Sequence, residues 1–337
     1  MNLPEFACYW AEEVGGSKKN LIQLRGGINN YVFRCDTEKR NFVIKGYRHK
    51  LTGQRDYMQA EIEFLRYAYL VAPSLVPELI SIDVDRRCVV LECINGLSYS
   101  EGIAPTKKDI EASMELLRCL NANLNLARQM VQLDASDGFR SLRQHVENLH
   151  ERIAAMQTEH LMNELKNKAR VIIRILKESI EQVEERLEDQ IKTGTVQDKL
   201  DPELVRVSPS DFGFHNAIRT ENGVKFFDFE YAGWDDPAKT CIDFVLQPRV
   251  PVKLEGREIL ELLMKDKAKY LQARYNSLFP LLELKWVCIK LAALQPERLR
   301  RIAEITSDNN EQIIQMRLEK AEELLSRTIN RTTILAK

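Results

Sequence analysis

No stretch of this 337-residue chain approaches the ~18 apolar residues of a membrane span. Met1-Asn2-Leu3-Pro4-Glu5 lacks the basic-then-apolar layout of a secretory signal. The net charge is only −1, and no basic stripe is evident, so neither nucleic acid nor a membrane is an expected partner. None of the seven cysteines forms a CxxC pair, and several lie inside apolar runs, as Cys88 does before Val89-Val90-Leu91. They read as small core residues kept reduced, which places the chain in the cytoplasm. There is no internal repeat and no low-complexity tract. What remains is an ordinary globular composition, 44% apolar and 29% charged, with enough length for two modest domains or one two-lobed body.

Along the chain, the region from about 20 to 95 is strand-rich. Leu21–Leu24, Tyr31–Cys35, Asn41–Gly46 and Cys88–Cys93 are short runs with β-branched and aromatic content, separated by turn residues. One helix interrupts them: Tyr57–Leu70 places Met58, Ile62, Leu65 and Tyr69 on one face. The pattern predicts a small antiparallel sheet with one helix packed on it, ending at Asn95-Gly96. From Thr106, a cap with Asp109 three residues later, the reading is helical. A single amphipathic helix is expected over Ile110–Ala127, and two long helices between Phe139 and about Ile191. A charge-rich coiled-coil arm is the alternative for the latter, against which the dense apolar spacing near Val171–Leu176 speaks. Short strands return after Gly194, and residues 256–328 are again helical. The expected fold class is α+β, with a sheet lobe over residues 1–95 and a mainly helical lobe over 96–337.

Two short segments carry the chemistry. The first is Ser208-Pro209-Ser210-Asp211-Phe212-Gly213-Phe214-His215-Asn216, and the second is Phe226-Phe227-Asp228-Phe229-Glu230-Tyr231-Ala232-Gly233. An Asp with an Asn five residues on, then an apolar run ending in a second Asp, can place one base and two oxygen ligands for a divalent cation. Thr220-Glu221-Asn222-Gly223 between two apolar runs is a hairpin signal that would bring Asp228 back beside Asn216. Phe212, Phe214 and Ala217 would anchor the Asp211 loop on the core. The plainer reading makes Asp211 and Asn216 turn residues. Glu230 reads as a structural partner more readily than as a further ligand.

Upstream, Arg25-Gly26-Gly27-Ile28-Asn29-Asn30 is either a plain hairpin turn or one that brings backbone N–H groups near phosphate oxygens. Lys45 ends an apolar strand. It is either a solvated edge charge or a point charge for phosphates, and the second role needs a carboxylate to fix it. Glu61 is the candidate, while Glu63 faces elsewhere on its helix. Asp243, in Cys241-Ile242-Asp243-Phe244, sits in an apolar context where an unpaired charge is costly. It is expected to accept backbone N–H bonds and to buttress the Asp211 loop.

The order of these pieces resembles the aminoglycoside phosphotransferase / choline kinase-like family over roughly residues 20–300. The phrase Asp228-Phe229-Glu230-Tyr231-Ala232-Gly233-Trp234-Asp235-Asp236-Pro237, with Asp243, is its most specific part. The resemblance implies a bilobal protein-kinase-like fold using ATP and Mg²⁺ to phosphorylate a small-molecule hydroxyl, of the sugar or amino-alcohol type. It assigns Asp211 as catalytic base, Asn216 and Asp228 as Mg²⁺ ligands, and Lys45 with Glu61 as the phosphate-positioning pair. Gly26, Gly27 and Asn29 become nucleotide contacts, and Glu92, Cys93 and Ile94 the hinge that meets the adenine. Pro209-Ser210 stand where the family commonly has His-Gly, and Gly213-Phe214-His215 where it has His-Pro-Gly.

Two other functions fit parts of the pattern. A catalytically idle nucleotide-binding regulator suits the missing His-Gly, though Asp211, Asn216 and Asp228 are all present. A protein kinase would need a peptide-positioning loop, and only a few residues separate Asp228 from Asp236-Pro237. The acceptor is expected to meet residues within 230–300. Trp234, Arg249, Lys253 and Trp286 are candidates, Trp286 reading rather as core and the two cations rather as solvated loop charges.

Overall fold

The computed structural model describes residues 3–24, 30–48, 55–305 and 309–335. Gly26, Gly27 and Asn29 lie outside them. The contacts divide the chain into two compact units. The first comprises Met1–Gly138, Arg206–Asp235 and Gln247–Leu254; the second comprises Phe139–Val205, Asp236–Leu246 and Glu255–Lys337.

In the first unit, a helix α1 (Glu5–Glu13) precedes strands β1 (Leu21–Gln23), β2 (Asn30–Cys35) and β3 (Phe42–Tyr47). Helix α2 (Tyr57–Val71) and strands β4 (Leu79–Asp83) and β5 (Cys88–Glu92) follow. The five strands make one antiparallel sheet in the order β1-β2-β3-β5-β4. The period-two alternation of β3 decides what each face does. Phe42 and Ile44 point to a core shared with Ala11, Cys35 and Val90, closed over by Phe6 and Trp10 of α1. Gly46 is on the same face, because a Cβ there would lie 2.2 Å from the Phe6 ring. Val43, Lys45 and Tyr47 therefore point the opposite way.

Helix α2 begins at Asp56, whose carboxylate caps the N–H groups of Met58 and Gln59. It buries Met58, Ala60, Glu61, Phe64, Leu65, Tyr67 and Ala68. Tyr69, expected on the buried face, is 38% exposed. The buried stripe is instead centred on Glu61, Phe64 and Ala68. After β6 (Leu97–Ser98), Thr106 and Asp109 form the expected capping box at the start of α3 (Lys107–Leu120). The single helix expected through Ala127 is two. Asn121 ends α3, donating its side-chain amide back to Leu117 O, and Asn123 caps α4 (Leu124–Met130).

The second unit is helical. α5 (Leu142–Ala154) and α6 (Asn163–Lys192) are the two helices expected between Phe139 and Ile191. α6 is no free arm: its stripe Ala169, Ile172, Leu176, Ile180, Val183 and Leu187 is buried. The first unit resumes with β7 (Arg206–Ser208), the hairpin β8 (Ala217–Thr220) and β9 (Gly223–Phe226), and β10 (Gly233–Asp235). β7 pairs with β10, and β8 lies between β6 and β9. The remaining helices are α7 (Pro237–Leu246), α8 (Gly256–Met264), α9 (Ala268–Leu291), α10 (Pro296–Ile305) and α11 (Asn310–Leu335). α6 packs against α5, α9 and α11 within that unit.

Asp243 of α7 is buried, as its apolar context implied, but its partners are not backbone groups. Both carboxylate oxygens accept from Lys285 Nζ at 2.8 Å, and Lys239 Nζ lies 3.4 Å away. Lys285 comes from α9, forty-two positions on, beyond the reach of local pattern reading. Arg274 of the same helix meets Asp236 and the carbonyls of Arg140, Gln197 and Asp198. All seven cysteines are free thiols, four of them buried. Among the described residues no helix is long and apolar enough to cross a membrane.

Candidate functional site

Lys45 leaves the sheet on the face opposite α1 and is only 4% exposed. An isolated ammonium there would be untenable, and the surrounding groups supply the compensation. Its Nζ lies 2.5 Å from Glu61 Oε2, 2.5 Å from Asp228 Oδ1 and 3.8 Å from Glu230 Oε2. Burial alone would push the ammonium's pKa down. The three carboxylates, Asp228 foremost, outweigh it and raise the pKa well above the ordinary lysine value. Glu61, 1% exposed, is held from three sides: by Lys45, by Tyr47 OH at 2.6 Å and by the N–H of Phe229 at 3.3 Å. Glu63, as expected, takes no part; it accepts from Gln59 and from the N–H of Gln132.

The Asp211 loop is built from aromatic anchors. Phe212 and Phe214 are buried, with ring centroids 5.0 Å from Phe226 and Tyr99 respectively, and Ala217 is fully buried. Ser210 adopts a positive φ of 64°, and the N–H of Phe212 closes on its carbonyl. Ser210 also donates its N–H to Ser208 Oγ, closing a local turn. A histidine does meet the aspartate, from the other side: His215 Nε2 lies 3.1 Å from Asp211 Oδ1. His215 Nδ1 is buried, with no partner among the described residues. Burial pushes the Asp211 carboxyl up. The hydrogen bonds from His215 and Asn216 and the positive charges of His215 and Arg249 outweigh it and hold the carboxyl below the ordinary aspartate value. The Asp211 side chain is nonetheless 39% exposed, open to a reactant.

Asn216 donates its side-chain N–H to Asp211 O at 3.0 Å, which leaves the amide oxygen as the group available to a cation. The backbone ties the two motifs together: Phe227 N–H donates to Asn216 O at 2.9 Å, across the β8–β9 hairpin that Asn222-Gly223 closes. Asp228 follows with φ 67°, a conformation rare for an L-residue outside turns and functional sites. Glu61, Asp228 and Glu230 each offer an oxygen within 4.8 Å of the others.

Two groups that sequence reasoning passed over hold the second motif. Asn30 donates its side-chain amide to Glu230, which accounts for that carboxylate as a structural partner. Arg55 spreads its guanidinium over three backbone carbonyls, those of Glu230, Ala232 and Asp134. Nothing in an isolated Arg55-Asp56 pair signals such a clamp, since its acceptors are backbone atoms far along the chain.

Glu92, Cys93 and Ile94, expected to form a hinge, lie at and just beyond the end of β5. Glu92 ends β5 and accepts Lys225 Nζ at 2.7 Å with both oxygens and the N–H of Glu78. The backbone N–H groups of Cys93 and Ile94 donate to no carbonyl of the described residues. A cavity of about 600 Å³ is lined by Glu92, Cys93, Asn95, Arg40, Glu78 and Lys225 among others, and by none of Lys45, Glu61, Asp211, Asn216 and Asp228. Four of the charges along it are paired, Arg40 with Glu78 and Lys225 with Glu92, while Lys39 has no ion pair among the described residues. Of the acceptor candidates, Trp234 is committed to structure: its Nε1 donates to Val131 O at 2.8 Å.

No protein-family model and no curated protein matches the sequence. Solved structures do match. The chain superposes on an ethanolamine kinase of Plasmodium vivax with a TM-score of 0.55 at 14% identity, covering 93% of this chain and 85% of that one. For a choline kinase of Cryptosporidium parvum the values are 0.52 and 14%, covering 93% and 90%. For a spectinomycin phosphotransferase, crystallised with ADP and spectinomycin, they are 0.53 and 12%, covering 90% and 92%. The chain therefore has the protein-kinase-like fold of the choline kinases and aminoglycoside phosphotransferases.

Proposed function

We propose that this protein is a small-molecule kinase that transfers the γ-phosphoryl group of ATP to a hydroxyl, with Mg²⁺. The observation that carries the reading is the convergence of Lys45, Glu61 and Asp228, from three separate elements, beside the loop that pairs Asp211 with Asn216. A structural salt bridge alone would not require an aspartate at positive φ, nor a 39% exposed carboxylate held below its ordinary pKa.

The donor set suits Mg²⁺, a hard cation that takes one or two carboxylates and keeps room for phosphate oxygens and water. Asn216 and Asp228 would hold it, the first through its uncommitted amide oxygen, the second through the carboxylate oxygen not turned to Lys45. Bound there, the ion supplies neutralising charge for the triphosphate. Lys45, fixed by Glu61, places an ammonium on the α- and β-phosphates. The N–H groups of Cys93 and Ile94, which have no backbone partner among the described residues, suit the adenine edge beside Glu92. Asp211 orients the acceptor hydroxyl and takes its proton as the oxygen attacks the γ-phosphorus and the bridge to the β-phosphate breaks, releasing ADP. With His215 donating to one carboxylate oxygen, the other is left for the hydroxyl.

The test is Mg²⁺-dependent ATP consumption against sugars, amino alcohols and aminoglycosides. Asp211→Ala should lower acceptor-dependent turnover about 10²- to 10⁴-fold while ATP still binds. Asp228→Ala should abolish turnover together with the Mg²⁺ dependence of nucleotide binding. Pro209-Ser210 at the usual His-Gly positions favour one competing reading, a regulator that binds ATP without transferring it. ATP binding without turnover on any acceptor would select that reading, and absence of ATP binding would sink both.

A further inference from the structure

Beyond the Asp211–Asn216 loop, one short segment of the first unit, Gln247–Leu254, is built with unusual care for a surface loop. Gln247 is 2% exposed, and its side-chain amide bonds to its own neighbours. Its Oε1 accepts the N–H groups of Arg249 at 3.1 Å and Val250 at 3.2 Å, and its Nε2 donates to Val250 O. A buried amide making three bonds to a four-residue stretch fixes the backbone of Arg249 as a strand ladder would. The same side chain seats the loop against the motif bearing Asp211. A Cβ at Gly213 would stand 3.0 Å from Gln247 Cγ, so only glycine admits this approach without a shift.

The side chain so positioned is a cation left unused. Arg249 is exposed, and its guanidinium makes no hydrogen bond and no close ion pair among the described residues. Gln247, seated on Gly213, holds Arg249, two residues on, beside the loop that bears Asp211. The unused cation gains a partner if the acceptor brings its own anion to the guanidinium when it binds.

We propose that Arg249 is the specificity-determining residue of the acceptor site, and that the acceptor is a hydroxyl compound carrying a carboxylate or phosphate near the hydroxyl to be phosphorylated. The inference rests on the kinase reading above and deepens it. An anionic acceptor would be bound by charge-assisted hydrogen bonds from an arginine whose backbone is already fixed. A cationic amino alcohol would meet a like charge and be disfavoured.

The experiment is calorimetric binding to the full chain saturated with AMP-PNP and Mg²⁺, which removes any need for turnover. The probes are glycerate and 4-hydroxybutyrate for carboxylates and glycerol 3-phosphate and ribose 5-phosphate for phosphates, against glycerol, ribose and ethanolamine. At least one anionic probe should bind more tightly than its neutral counterpart. It should lose about 10- to 150-fold in affinity in Arg249→Gln, with part of the loss restored in Arg249→Lys. AMP-PNP affinity should be equal in all three proteins, as Arg249 lies outside the nucleotide site. The carboxylate and phosphate arms tell the two anions apart. Equal behaviour of every anionic probe toward wild type and Arg249→Gln, absence of binding included, overturns the inference while leaving the kinase reading intact. So does tighter binding of ethanolamine. Failure of the wild type to bind AMP-PNP overturns the kinase reading itself.

Discussion

Replacing Lys45 by methionine tests the electrostatic account of the site most directly. In the wild type one ammonium serves three carboxylates, and two of these, Glu61 and Glu230, are 1% and 3% exposed. Methionine fills most of the volume and supplies no charge, so the variant keeps three carboxylates whose shared cation is gone. Removing one partner of a buried ion pair costs about 3–5 kcal/mol. At roughly 2–4 °C per kcal/mol, the thermal midpoint should fall by roughly 6–20 °C. The pH dependence separates this cause from a packing defect. In the wild type the Lys45 pKa is raised, so its contribution is complete below the ordinary lysine value and constant between pH 5.5 and 7.5. In the variant, the folded state is relieved by taking up a proton that the unfolded chain does not hold in that range. Relative to the wild type, its stability therefore rises as pH falls, by up to about 1.4 kcal/mol per pH unit for each proton. Urea titrations of both proteins at pH 7.5 and 5.5 measure the gap, which should narrow in acid. A loss under about 1 kcal/mol, or a gap that stays constant or widens in acid, would refute the reasoning.

Other outcomes follow from single features. His145 is buried beside Lys239, Lys285 and Arg274, and burial first, then those cations, holds its pKa well below 6.5. The unfolded chain binds a proton there below about pH 6.5 and the folded chain does not, so the wild type should lose about 1.4 kcal/mol per pH unit on acidification. His145→Gln should show a shallower acid slope in urea titrations; an unchanged slope would exclude the histidine as its source. Asp243→Ala leaves Lys239 and Lys285 as buried ammonium groups without their carboxylate, and should cost about 3–5 kcal/mol by denaturant titration. Lys285→Met, which leaves Lys239 to the aspartate, should cost less. Gly96→Ala at φ 157° would set a Cβ 2.1 Å from the carbonyl oxygen of Arg219. It should lower the midpoint of unfolding and, on the kinase reading, ATP affinity as well, and a neutral effect on both would show that the strand β6 can move away.

The legibility of the molecule in its sequence followed the range of the interactions. β3, α2, the capping box at Thr106 and the hairpin at Asn222-Gly223 were readable because their causes lie within a few residues: alternation, helical spacing, a cap, a turn dipeptide. Lys45 and Glu61 were found because each role demands a partner of opposite charge. The break at Asn121 was missed because Asn at a helix end and Asn within a helix differ only by what the side chain meets. Arg55, Asn30 and Lys285 were invisible for a stronger reason. Their partners are backbone carbonyls or carboxylates dozens to hundreds of positions away, and no local pattern records that. Helix α1 was also passed over, since its apolar face is short and the sheet it covers is what defines it.

The first unit is discontinuous in the chain, and this has a consequence for its birth on the ribosome. Glu61 waits 168 residues for the Phe229 N–H that completes its bonding. At ~5–20 residues per second that interval is roughly 8–34 s of synthesis. Bridging so long a separation adds little closure entropy, about 0.6 kcal/mol per doubling of loop length, so the thermodynamic obstacle is small and the delay is the real cost. A nascent chain that ends before Arg206 holds the lysine and its glutamate but neither the Asp211 loop nor Asp228. Through that interval the five-stranded sheet must persist on the packing of the helices Glu5–Glu13 and Tyr57–Val71, with a buried ammonium sharing one carboxylate instead of three.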